Sequence, residues 1–370
     1  MKAIALRGLI VAAVVLGGGM TPAGAQQGHV HHVSAVAGVG HLIDDRLLAL
    51  TDSGLSGAVI VARGDTVLLA AGYGFANRDK KTPFTANTIA QVGSLTKQFT
   101  ATAVVDLIRR GRLRASDSLG KIFPDVAANA RRLTIDQLLT HTAGLRDDCG
   151  NDFDRISRSD LLTRCLAMPL INEPGTRVVY ANMGFSVLGA VAEQTSGERL
   201  EDYLHDHFFG PLGLRTIAYA YHGVPSDSFA VGYDHGAPQP NIATSIAALG
   251  DDYWNLKGNG GIQSTAYDMY RWYRALDSSP LITEDMRKAL FTAHAERDPG
   301  IFMGYGWFIR VDSTGRTVQI SHTGSDGVFF AAWYWRPVER VFVYSVTNFG
   351  ETDLVTGLTS RIVRIMKASP

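Results

Sequence analysis

The sequence predicts an α+β protein, an α/β sandwich: a mainly antiparallel sheet flanked by N- and C-terminal helices, with an inserted all-helical lobe. Three observations predict it. Apolar runs of strand length sit at both ends of the 370-residue chain. Helical patterns fill the middle. Short turns join the C-terminal strands, and only antiparallel neighbours can be joined so tightly. Residues of about 36–95 and 265–370 then form the α/β lobe, and about 96–264 the helical lobe. A functional site is expected in the crevice between them.

Residues 1–25 differ in kind from the rest. Lys2 and Arg7 give a positive start, Leu9 to Leu16 form a short apolar run, and Ala23-Gly24-Ala25 offers a small-residue cleavage site. This is the pattern of a secretory signal peptide, and the run is far shorter than the ~20 residues that span a membrane. The mature protein is thus expected to be periplasmic or secreted. The following Gln26–His32 stretch, with three histidines in four positions, reads as a mobile tail.

Val36 to Leu50 carries apolar residues at helical spacing. Gly57–Ala62 and Thr66–Ala71 read as two strands around an Arg63-Gly64-Asp65 turn. Both are continuously apolar, so both faces of the sheet should be covered. Helices follow over Thr134–His141, Ser157–Ala167, Met183–Thr195, Arg199–Phe209, Ala266–Leu276 and Thr283–Thr292. Period two then takes over in Tyr305–Val311, Thr317–His322, Val328–Trp335 and Val341–Val346. Asp353 to Met366 returns to the helical period.

Composition is ordinary for a globular chain: 46% hydrophobic, 19% charged, with 35 basic and 35 acidic residues. With no basic tract, nucleic acid is excluded as a natural partner. No metal or cofactor is expected. Cys149 and Cys165 can form a disulfide in an exported protein, closing a loop worth ~3 kcal/mol. The alternative is two free thiols, with Cys165 buried on a helix.

The chemistry concentrates in Ser94-Leu95-Thr96-Lys97. Phe99, Ala103, Val104, Leu107 and Ile108 form one stripe behind it, and Gly111 stops the helix. Ser94 should therefore open a buried helix of about five turns, facing Lys97 one turn later. A nucleophile, a candidate base and the free N–H groups of a helix start then meet within four residues. A second Ser-x-x-Lys, Ser118 to Lys121, contains a glycine and runs into Phe123-Pro124, so it reads as a loop.

Three other stretches offer partners. Tyr180 and Asn182 lie two apart on extended chain, where they share a face. Tyr180 could relay a proton and Asn182 hold a substrate amide, or the pair could be a core aromatic and a helix cap. Ser321–Gly327 ends one strand and begins another. Its glycines admit a substrate to the backbone, where His322 could hold an anionic group and the Ser325 N–H could face an oxyanion. His141 closes a short helix at a glycine turn and reads as structural. Tyr219, Tyr221, Tyr233, Tyr253 and Trp254 either line a pocket or pack.

Taken in order, Ser94-Leu95-Thr96-Lys97, Tyr180-Ala181-Asn182 and His322-Thr323-Gly324 resemble the Ser-x-x-Lys, Tyr-x-Asn and Lys/His-Thr-Gly elements of the serine β-lactamase and penicillin-binding protein superfamily. The chain is most similar to its class C-related branch of esterases, D-amino-acid peptidases and related hydrolases. Leu138–Leu145, Glu173–Thr176 and Gly260–Thr265 support the match, which runs from about Leu42 to the C-terminus. The resemblance implies a β-lactamase/transpeptidase-like fold. It makes Ser94 the nucleophile, Lys97 its base partner and Tyr180 a proton relay. Asn182, His322, Thr323 and Gly324 would contact substrate, and the Ser94 and Ser325 N–H groups would form the oxyanion hole.

One departure bears on the substrate. The class C enzymes carry lysine where this chain has His322, and a histidine with a reference pKa of about 6.5 is mostly neutral at pH 7. That favours carboxylic esters or D-amino-acid amides and peptides over anionic β-lactams. A β-lactamase, a D-alanyl carboxypeptidase or a weakly catalytic cell-wall-peptide sensor are the alternatives. Either a neutral Lys97 or a Tyr180 phenolate could serve as base, and the residues do not choose between them.

Overall fold

The computed structural model describes residues 32–221, 224–349 and 352–368. The expected leader at 1–25 and the tail up to His31 lie outside the described residues. His32, read with that tail, instead opens a strand.

One nine-stranded sheet organises the molecule. Its strands are β1 (His32–Ala35), β2 (Gly57–Arg63), β3 (Thr66–Tyr73), β4 (Ala295–Asp298), β5 (Ile301–Gly304), β6 (Trp307–Val311), β7 (Thr317–Ser325), β8 (Phe330–Arg336) and β9 (Val341–Thr347). The order across the sheet is β1-β3-β2-β9-β8-β7-β6-β5-β4, and each neighbouring pair is antiparallel. The two ends of the chain meet at its centre, where Ile60 opposes Tyr344 and Val61 opposes Val343.

Both faces are covered, which is why β2 and β9 are apolar at nearly every position. The helices that matter are α1 (Val39–Leu48), α2 (Thr96–Arg109), α3 (Asn182–Ser196), α4 (Ala266–Ser278) and α5 (Thr352–Ala368). On one face, Ile43 and Leu47 of α1 and Leu358 and Ile362 of α5 close over Val59, Val61, Leu69 and Val343. On the other, α4 stacks the Tyr273 ring on Phe342 at 4.3 Å and places Trp272 5.2 Å from Phe99 of α2. Helix α2 is thereby sunk into the core, with Thr96 through Leu107 all buried.

The expected strands form, and three more join the large sheet. All three are four-residue strands: β1 and β4 are the two edges of the sheet, and β5 lies next to β4. Edge strands are half solvated, and Glu296, Arg297 and Asp298 carry no apolar alternation for the sequence to show. Helix α1 starts at Val39 rather than Val36 because Gly38 adopts φ 85°, outside the helical region. The segment between the two halves of the sheet is not all-helical as expected: helices alternate with loops, and short strands pair Phe75–Asn77 with Thr82–Pro83, Ala90–Gln91 with Gln263–Ser264 and Gly232–Asp234 with Ala237–Gln239.

Candidate active site

Ser94 lies in a tight 3₁₀ turn, Gly93–Leu95, that leads into α2 at Thr96. It precedes the α-helix rather than opening it, and the helix is correspondingly shorter than expected. The turn is pressed onto β7. Gly93 adopts φ 52°, and a Cβ there would meet the Ser325 nitrogen at 2.7 Å. A Cβ on Gly324 would meet the Val92 carbonyl oxygen at 2.0 Å and the Ser94 nitrogen at 2.8 Å. The two glycines thus let the backbone amides of Ser94 and Ser325 approach each other, as an oxyanion hole requires.

Lys97 sits one turn on and is fully buried. Its Nζ lies 2.9 Å from Ser94 Oγ, 2.7 Å from Asn182 Oδ1 and 2.9 Å from the Asn259 carbonyl oxygen. Burial pushes its pKa down to about 7, and the carboxylates of Asp147, Asp152 and Asp148 limit the fall. The second Ser-x-x-Lys makes no such site. Ser118 precedes a one-turn helix, not the expected loop, and the exposed Lys121 is paired with Asp117 at 2.6 Å.

Tyr180 is half-buried, with Lys97 Nζ 4.9 Å from its ring centre. Burial raises its pKa above the usual phenol value, while hydrogen bonding with Ser94 works against the rise. His141 explains how the ring is held. It is buried, it stacks on Tyr180 at 4.4 Å, and its Nδ1 accepts the Ala181 N–H at 3.1 Å. The structural reading of His141 therefore acquires a definite object, the Tyr180 ring. Asn182 is not a helix cap. It is the first residue of α3, with Ala181 in the cap position, and Asp147 Oδ1 accepts the Asn182 N–H at 2.8 Å. The Asn182 side chain is thus free to face Lys97.

His322 is buried and packed 5.0 Å from Phe308 and 6.1 Å from Tyr180. Its Nδ1 donates to the Thr323 carbonyl oxygen at 2.6 Å, which leaves Nε2 as a bare acceptor without a partner among the described residues. Burial, reinforced by the charge on Lys97, pushes its pKa down to about 3. Thr323 and His322 line a cleft of about 310 Å³ shared with Arg297, Phe308 and Arg310. Ser325 is exposed at the end of β7.

Sequence reasoning missed three groups here. The Asn259 carbonyl is backbone, so no residue type could announce it; its signal was Gly258, at φ 85°, whose Cβ would strike the Phe185 carbonyl oxygen at 2.5 Å. Asp147 acts across 35 residues, and Arg297 arrives on an edge strand that the sequence does not mark. Of the aromatic residues, Tyr219, Tyr233, Tyr253 and Trp254 are packing, whereas Tyr221 lines a cleft of about 590 Å³. Cys149 and Cys165 are disulfide-bonded.

The family model described as Beta-lactamase matches residues 43–362. PbpX of Bacillus subtilis, whose name places it among penicillin-binding proteins, is 29% identical over 259 residues, 70% of this chain and 62% of its own length. Protein flp of Staphylococcus aureus is 26% identical over 83% of this chain and 62% of its own. The chain spans just over three-fifths of the length of these relatives. A penicillin-binding protein from Bacillus halodurans superposes with TM-score 0.71 at 26% identity, covering 86% of this chain and 99% of that one. A class C beta-lactamase superposes with TM-score 0.74 at 22% identity, covering 88% and 97%, a likeness of fold.

Proposed function

Because the chain belongs to the beta-lactamase family, we propose that it is an exported serine hydrolase that forms an acyl-enzyme on Ser94, with Lys97 as general base. The observation that carries this reading is the set of partners around Lys97 Nζ. A neutral amine has two N–H groups and one lone pair. Asn182 Oδ1 and the Asn259 carbonyl, at 2.7 and 2.9 Å, can only accept, so they take the two N–H groups. The lone pair is left for the Ser94 hydroxyl at 2.9 Å. A pKa of about 7 supplies that neutral amine at working pH.

In the proposed reaction Lys97 takes the Ser94 proton as Oγ attacks the substrate carbonyl. The N–H groups of Ser94 and Ser325 stabilise the oxyanion, a contribution of about 10²–10³-fold per donor. Burial keeps Tyr180 protonated, so it suits the role of handing a proton to the leaving group better than that of a phenolate base. Water then attacks the acyl-enzyme with the same groups in reverse. Export, suggested by residues 1–25, is supported by the disulfide.

The substrate class follows from His322. A neutral imidazole offers no charge to a carboxylate, so carboxylic esters or D-amino-acid amides and peptides are the proposed substrates. One observation favours the β-lactamase or D-alanyl carboxypeptidase reading. The Arg297 guanidinium lies 5.1 Å over the Phe308 ring in the cleft that His322 and Thr323 line, where it could meet a substrate carboxylate.

The test is a panel of p-nitrophenyl esters, D-alanyl amides and a chromogenic cephalosporin, with mass spectrometry of the protein. Turnover with an acyl adduct on Ser94, both absent in Ser94→Ala, is expected. Full activity in Ser94→Ala would overturn the assignment, and an adduct that never turns over would make the protein a sensor.

A further inference from the structure

We propose that the segment from Asp147 to Asp152, anchored by the Cys149–Cys165 disulfide, is a positioning element of the acylation site, in which Asp147 fastens Asn182 and, through it, Lys97. The inference rests on the reading of Lys97 as the base.

Helix α3 begins without a capping side chain of its own, since its cap position is Ala181. Asp147 supplies the missing acceptors from another part of the chain. Its Oδ1 accepts the Asn182 N–H at 2.8 Å and its carbonyl oxygen accepts the Met183 N–H at 2.7 Å. Two of the first N–H groups of α3, which have no acceptor within the helix, are thus satisfied by one residue. The first residue so held is the one whose Oδ1 lies 2.7 Å from Lys97 Nζ.

Asp147 is solvent-exposed, so something must hold it there. Two residues further on, Cys149 is bonded to the buried Cys165. Beyond it, the Asn151 carbonyl accepts from Asn255 Nδ2 at 2.7 Å, the Ile156 N–H donates to the Asp252 carbonyl at 2.8 Å, and the Ile156 carbonyl accepts the Trp254 N–H at 3.2 Å. The chain that follows Asp147 is therefore clamped by a covalent bond and by backbone and side-chain hydrogen bonds.

The loop also sets the charge around Lys97. Asp147, Asp148 and Asp152 are the carboxylates that act on it, with Asp326 of the turn after β7 facing Asp152. From the other elements, His141 and His322 are held neutral by burial and Tyr180 is held protonated, with Arg297 acting on all three. The negative charge that offsets the desolvation of Lys97 thus comes from one loop. Asp147 has two separable effects: an acceptor that places Asn182, and a charge that holds the Lys97 amine from titrating too low.

Asp147→Asn and Asp147→Ala separate them, measured in the full, oxidised protein with p-nitrophenyl butyrate as probe. Asp147→Asn keeps an oxygen acceptor and loses the charge. Its acid limb of kcat/KM should move down by about half a pH unit, as expected for a charge across a partly solvated gap. Asp147→Ala should show that shift and, in addition, lower kcat by about 10–100-fold with a smaller change in KM, the cost of misplacing a reacting group by a fraction of an ångström. An unmoved limb in Asp147→Asn, or wild-type kcat in Asp147→Ala, would overturn the proposal. If Asp147→Ala does not fold, the limb of Asp147→Asn decides. A wild-type protein that never acylates Ser94 would instead remove the functional reading beneath it, and that outcome is visible before either variant is made.

Discussion

Lys97 Nζ and Asn182 Oδ1 lie 2.7 Å apart across the interface between α2 and α3. The contact ties chemistry to packing, because each side chain leaves a helix that is buried on nearly every side. The amine cannot reach water, so its protonation is decided by the protein around it.

Activity should therefore follow the titration of Lys97. With a pKa of about 7, kcat/KM should rise with pH to a plateau just above neutrality and fall tenfold per unit on the acid side. His322, titrating near 3, should add no limb above pH 4 or so. Tyr180→Phe should lower the plateau by about 10²–10⁴-fold and leave the limb in place. A limb that vanishes with Tyr180 would instead make its phenolate the base. The measurement is a pH–rate profile of wild type and variant on one ester.

The same titration has a stability consequence. The folded pKa of Lys97, about 7, lies below the value of about 10.5 of an exposed lysine. Between these values the unfolded chain binds more protons, so stability rises with pH across the window, and below pH 7 the penalty is fully present. Lys97→Met removes the penalty along with three hydrogen bonds. It should abolish activity yet raise stability by roughly 1–3 kcal/mol at pH 7, less than the ~5 kcal/mol that the shift alone implies. The gain should shrink toward pH 10. Denaturant unfolding at several pH values measures it, and a destabilised variant at pH 7 would contradict it.

Acid sensitivity should come from the buried histidines. His141 and His322 both titrate below the usual imidazole value, chiefly through burial. Each binds a proton more readily when unfolded, so stability falls as pH drops from about 6.5 toward 3. His322→Asn should flatten the pH dependence of stability in that window, independently of any packing loss, which shifts the curve as a whole. An unchanged slope in urea unfolding at pH 4 and pH 6 would show that His322 does not titrate there.

How much of this was written in the sequence depends on what each part is made of. The strands that carry the core were legible because β2, β3, β8 and β9 must be apolar on both faces. The edge strands were not, since solvent on one side erases the pattern. Ser94, Lys97, Tyr180 and Asn182 were legible as residue types in order, and their convergence is seen only in the structure. The third ligand of Lys97 is a backbone carbonyl, and the anchor of Asn182 is an aspartate 35 positions away. The aspartate has no local signature, and the carbonyl has only the glycine before it. The neutrality of His322 followed from its reference pKa, but its strength depends on burial, which no motif encodes.

Opening the Cys149–Cys165 bond should weaken the fold by about 3 kcal/mol, as loss of a cross-link over a loop of this length does. A Cys149→Ser, Cys165→Ser double variant should show the drop in thermal or denaturant midpoint. An equal midpoint for the oxidised protein and the double variant would mean that the loop is held by its hydrogen bonds alone.

The last prediction concerns the carbonyl that the sequence could not show. Gly258 adopts φ 85°, its carbonyl accepts from Thr100 Oγ1 at 2.7 Å, and its N–H donates to Tyr219 at 2.9 Å. A Cβ there would stand 2.5 Å from the Phe185 carbonyl oxygen, a backbone atom of α3 that cannot swing away. Gly258→Ala should therefore push the turn off α3 and carry the Asn259 carbonyl away from Lys97. Left-handed strain alone costs about 1–2 kcal/mol, and the clash adds to it. The expected result is a destabilised but folded protein whose kcat falls about 10–100-fold, because a displaced acceptor leaves the Lys97 lone pair misdirected from Ser94. The control is Gly197→Ala at the C-terminal end of α3, where φ is 82° and no atom lies within 4 Å of the added Cβ. It should lose similar backbone stability with kcat intact. Equal loss of kcat in both variants would place the effect in the stability of α3 and not in the aim of the Asn259 carbonyl.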